Sequence, residues 1–74
     1  MLLTCSVGQR FRLRHYGQAN LTYRKRLLSL GLTRGMVVTV DHVAPLGDPI
    51  VLNVRGTQWI FRRAELAALG WELL

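Results

Sequence analysis

The chain has a single cysteine, Cys5, so it cannot close an intramolecular disulfide, and its fold must hold without a covalent staple, as suits a reducing compartment. Acidic residues are scarce: four of them face ten basic ones, for a net charge of +6. Lysine is nearly missing as well, since Lys25 stands alone among arginines. No glycine-rich loop precedes it, which excludes a Walker-type phosphate cradle and nucleotide hydrolysis by that route. No apolar run approaches the roughly 18 residues that cross a bilayer, and Met1-Leu2-Leu3-Thr4 does not open a secretion signal, so a cytoplasmic protein without membrane insertion is expected. In that setting Asn20-Leu21-Thr22 is a helix start and not a glycosylation sequon.

Catalytic patterns are missing too. Ser6 and Ser29 lack the Gly-x-Ser-x-Gly surroundings of a nucleophile elbow, and neither His15 nor His42 comes with a third group that would orient it toward Cys5. Cys5, His15, His42 and Asp48 are scattered singly, without the close pairs that build a metal shell. No catalytic residue, metal ligand or cofactor is expected, and the chain reads as a binding module, not an enzyme.

What is present is the pattern of one small folded domain over residues 1–74. Half of the residues are hydrophobic and 19% are charged, without repeats or low-complexity stretches. Phe11 and Leu13 alternate with Arg10, Arg12 and Arg14, the pattern of a strand with one dry and one wet face. Gly17 breaks it. Asn20 is placed to cap a helix running to about Leu30, with Gly31 in the left-handed position that ends it. Met36, Val38 and Val40 mark the inner face of a second strand, which puts His42 in phase with them as a rim or inward histidine. Ile50, Leu52 and Val54 mark a third. Gly56 makes a tight hairpin into a fourth at Gln58–Arg62. A helical turn through Ala64–Leu69 stops at Gly70, and Trp71–Leu74 closes as a fifth strand.

Five short strands in so short a chain cannot bury both faces of an open sheet. Closing them into a small SH3-like β-barrel, with the helix inserted between the first two strands, is the economical arrangement. On that helix Thr22, Lys25, Arg26 and Ser29 share a polar arc, while Arg24 falls inside the apolar arc. Its stem can lie along the core with the guanidinium reaching out, or it can meet an internal carboxylate such as Asp48. Lys25, Arg26 and Arg34 form a basic patch, and Arg10, Arg12 and Arg14 add a basic strand face. The surplus favours an acidic partner, which composition alone does not choose among nucleic acid, membrane surface and protein. The six aromatics are needed mostly as core in a domain of this size.

The most specific stretch is Val43-Ala44-Pro45-Leu46-Gly47-Asp48-Pro49-Ile50. Its two prolines, one glycine and one aspartate restrict the backbone to a narrow set of turns. It follows Tyr23-Arg24-Lys25-Arg26-Leu27-Leu28-Ser29-Leu30-Gly31-Leu32 and then Gly35-Met36-Val37-Val38-Thr39-Val40. In that order and spacing, over roughly Gly8 to Leu74, the chain resembles the FeoA family. The resemblance implies the SH3-like fold and a small accessory protein of ferrous iron uptake. Its implied partner is the cytosolic part of FeoB, a membrane permease with a GTP-binding domain. Arg24, Lys25 and Arg26 of the helix and Pro45, Leu46, Gly47, Asp48 and Pro49 of the loop are the residues expected to meet it.

A competing expectation rests on charge and fold alone: a small basic barrel that binds RNA or DNA, since the glycine-led strand at Gly35–Val40 also resembles those of ribosomal barrels. An exposed strand edge also offers a place for two copies of the chain to pair.

Overall fold

The structure is a computed structural model that describes residues 5–74; the reading of Met1-Leu2-Leu3-Thr4 lies outside those residues. Seven elements follow in order: β1 (Arg10–His15), α1 (Leu21–Ser29), β2 (Val37–Val43), β3 (Ile50–Val54), β4 (Thr57–Phe61), α2 (Arg63–Ala67) and β5 (Gly70–Leu73). The strands form one antiparallel sheet in the order β4-β3-β2-β1-β5, the five-stranded SH3-like arrangement with α1 inserted between β1 and β2. Among the described residues no ladder joins β4 to β5. The two ends of the sheet are bridged by α2, whose Leu66 is fully buried beside Leu69 of the following turn.

The period-two pattern decides the core. Phe11 and Leu13 of β1, Val38 and Val40 of β2, Ile50, Leu52 and Val54 of β3, and Phe61 of β4 all turn inward, joined by Leu27 and Leu32. Trp71 packs at the edge of this cluster, its ring 6.3 Å from that of Phe11 in an edge-to-face arrangement, and donates its indole N–H to the carbonyl of Leu66 at 2.9 Å. No polar or charged residue is buried among the described residues.

α1 begins and ends as its sequence directs. The side chain of Asn20 accepts from the N–H of Tyr23 at 2.8 Å. At the other end Gly31, with φ of +90°, donates to Leu28, and Leu32 donates to Leu27, the paired bonds of a Schellman motif. This closure swings Leu32 under the helix end, where it is fully buried along with Leu27. The helix is only shallowly anchored: Leu27 is its one buried residue, while Leu21 and Leu28 are 62% and 46% exposed.

Of the two places expected for His42, the inward one does not occur; it is exposed. The pairing of β2 with β3 shifts between Val40 and His42, so that Val40 opposes Leu52 while His42 opposes Val51. One extra residue in β2 inverts the alternation beyond Val40, which an unbroken period-two count does not foresee. The β3–β4 hairpin also departs from expectation in one respect. Both of its turn residues, Arg55 at φ +55° and Gly56 at +86°, are left-handed, and the Asn53 side chain accepts the Gly56 N–H at 2.9 Å.

Candidate docking site

The loop between β2 and β3 is built by its own sequence and then fastened from outside. Gly47 donates its N–H to Ala44 at 2.7 Å, closing a four-residue turn with Pro45 at its second position, and Ala44 donates to Pro49 at 3.1 Å. The Asp48–Pro49 peptide is cis. The first turn of α2 supplies the fastening. Asp48 Oδ1 accepts the backbone N–H of Arg63 at 2.8 Å, and the Arg63 side chain donates Nε–H to the Gly47 carbonyl at 3.1 Å. A helix start leaves backbone N–H groups without partners, and here the loop carboxylate satisfies one of them. The result is a loop held at both Gly47 and Asp48 with Leu46 at its tip, 97% exposed.

Arg63 thus organises the loop, a role that reading the sequence missed; the only signal was its position at the start of a helical turn. The alternative contact of Asp48 with Arg24 does not occur. Arg24 instead lies with its guanidinium 5.5 Å from the centre of the Tyr16 ring. The loop's hydrogen bonds run to α2, and among the described residues none runs to α1. Lys25 and Arg26 are exposed on α1, as the polar arc predicts.

The four carboxylates are all occupied within the fold. Asp41 accepts from Gln58 at 2.9 Å and Asn53 at 3.3 Å, and Asp48 holds Arg63. Glu65 accepts the Arg62 backbone N–H at 2.9 Å, and Glu72 pairs with Arg12 and Arg14 at 3.2 and 3.3 Å. The basic face of β1 is therefore partly neutralised by β5. Arg24, Lys25, Arg26 and Arg34 form no ion pair among the described residues, so α1 and the turn after it carry unbalanced positive charge, as do Arg10, Arg55 and Arg62 elsewhere.

On α1 the Tyr23 hydroxyl is cut off from solvent. Burial pushes its pKa up to about 12, with the carboxylate of Glu65 raising it further and Arg26 opposing. No three His, Cys, Asp or Glu residues gather into a metal shell among the described residues, and no helix there is long and apolar enough to cross a membrane.

Comparison with known proteins supplies the family. The chain is 35% identical over 52 residues, 70% of its length, to an Fe(2+) transport protein A/Fe(2+) transporter FeoB fusion protein of Porphyromonas gingivalis, of which it spans only 6%. Among solved structures it is similar to the FeoA protein of Chlorobium tepidum, at 35% identity and a TM-score of 0.84, covering 96% of this chain and 67% of that one. A FeoA-like protein of Clostridium acetobutylicum superposes at a TM-score of 0.77 with 25% identity, over 96% and 81% of the two chains. The family model of the FeoA domain matches residues 1–72, and the chain belongs to that family, which is associated with ferrous iron transport.

Proposed function

We propose that this chain is a single-domain, non-enzymatic accessory protein of ferrous iron uptake that works in the cytoplasm by docking on the cytosolic part of FeoB. The observation that carries this reading is the relative in which a matching segment is joined to a FeoB transporter in one polypeptide, an arrangement that keeps the two parts together permanently. Two surfaces of this chain suit such a role. The loop Pro45-Leu46-Gly47-Asp48-Pro49 offers an apolar tip on a backbone already ordered by Arg63, so little conformational freedom is lost on binding. Arg24, Lys25 and Arg26 offer unbalanced positive charge for an acidic surface and for electrostatic steering toward it. Docking alters the permease only by favouring one of its conformations over another.

Calorimetric titration against the purified cytosolic domain of FeoB, with and without guanine nucleotide and at two salt concentrations, tests the proposal. Saturable binding that weakens modestly with salt is expected. No heat with FeoB alongside binding to a mixed RNA oligomer that collapses with salt would replace this reading with nucleic-acid binding.

A further inference from the structure

Of the three cations of α1, only Arg24 lines a cleft. Arg24 leaves the run Arg24-Lys25-Arg26 to enter an open cleft of about 490 Å³ lined by His15, Tyr16, Gly17, Arg24 and Arg34. We infer that this cleft is a receptor for a single oxyanion, a carboxylate or phosphate group, gripped between the guanidinium groups of Arg24 and Arg34. This inference rests on the cleft alone and stands independently of docking to FeoB.

Three features distinguish it from an ordinary solvated basic face. First, its parts come from three separate stretches, the end of β1, the middle of α1 and the turn before β2, so the convergence of charge is made by the fold. No carboxylate lines it, and Arg24 and Arg34 have no protein hydrogen-bond acceptor among the described residues. Like charges are brought together there without an internal counterion.

Second, the cleft is braced. Tyr16 donates its hydroxyl to the carbonyl of the buried Leu32 at 2.9 Å, which fixes the ring on which Arg24 rests. Cation–π attraction to the ring, 5.5 Å away, uses none of the guanidinium's N–H donors, so they remain available for an oxyanion. His15 packs closely on Gly70, where a side-chain carbon would collide with the imidazole ring.

Third, one lining residue must be glycine. Gly17 has a φ of +52°, and a β-carbon there would run into the carbonyl oxygen of Ala68. That carbonyl accepts the N–H of Gln18 at 2.8 Å, so the chain at Gly17 is drawn tightly against the segment before β5.

The test is an NMR titration of the intact chain, following backbone amides and arginine Nε–H signals. The probes are inorganic phosphate, a short peptide carrying one glutamate, and chloride at matched ionic strength. Saturable shifts centred on Gly17, Arg24 and Arg34 with phosphate or the peptide, and absent with chloride, are expected. Which probe acts identifies whether the group arrives as a phosphate or on a protein side chain. R24Q and R34Q should each weaken the response about tenfold with the remaining amide spectrum unchanged, the loss typical of one charge-assisted partner. Shifts spread evenly over Arg10, Arg55 and Arg62, equal effects of chloride, no response to either oxyanion, or a response that survives both substitutions would each overturn the inference. Because no probe contains FeoB, failure here and failure of FeoB docking are separate results.

Discussion

Arg63 gives its backbone N–H to Asp48 across fifteen residues of sequence, at 2.8 Å. This one bond ties a loop to a helix start: a carboxylate within the Ala44–Pro49 turn satisfies a donor in the first turn of α2. The most recognisable stretch of the sequence is thereby anchored by a residue that carries no sequence signature of its own.

Replacing Asp48 by alanine should therefore unfasten both elements. An exposed hydrogen bond of this kind is worth about 1 kcal/mol, so the unfolding free energy should fall by that amount and the denaturant midpoint with it. Hydrogen exchange at the Arg63 amide should accelerate in the same variant. If Arg63 stayed protected, the loop would have to be held by the Gly47 contact alone.

Leu46 separates binding from stability. At 97% exposure its side chain contributes nothing to the core, and Leu46→Ser should change stability by no more than about 0.5 kcal/mol. Its affinity for the FeoB cytosolic domain should nevertheless fall by roughly fivefold or more, as for an apolar anchor in an interface. Unaltered affinity would remove the loop tip from the docking surface.

Gly31 closes α1 at φ +90°. Alanine there should cost about 1 to 2 kcal/mol, the strain of a left-handed backbone carrying a β-carbon. The added carbon would lie 3.2 Å from Arg55 Cδ, a flexible side chain that can give way, so the backbone term dominates. Thermal unfolding of the variant measures it, and a midpoint equal to the parent's would mean that the chain leaves α1 by another route.

Tyr23 sets an alkaline limit. Its folded pKa lies near 12 against an ordinary value of 10.0. The unfolded chain therefore loses this proton first as pH rises. The contribution is complete below pH 10, declines between pH 10 and about 12, and is gone above. Urea midpoints recorded across that range should fall with pH, and Tyr23→Phe should flatten the decline; a slope unchanged by the substitution would assign it to other groups.

Much of this was legible beforehand because it depends on neighbours in sequence. Asn20 and Gly31 bound α1 through contacts three to five residues away. The alternation of Phe11 with Leu13, and of Ile50, Leu52 and Val54, requires strands with one buried face whatever their partners. The loop's prolines and glycine restrict its backbone by local sterics. Those same features, in order, carried the likeness to FeoA. The sheet's pairing order, in contrast, is a relation between distant strands, and the turn of His42 to the outside came from a register shift against β3 that no count within β2 contains.

The sequence by itself determined a mainly β domain with an inserted helix, a surplus of arginine and a stiff loop, because caps, alternation and proline geometry act over a few residues. Only the tertiary structure decided where the charge is used. Folding placed Glu72 on Arg12 and Arg14 and gave Asp48 to Arg63 instead of Arg24, and it gathered Arg24, Arg34 and His15 around Tyr16. Electrostatic and hydrogen-bond partners are chosen by distance in space, and distances between elements are set by the packing of the whole core.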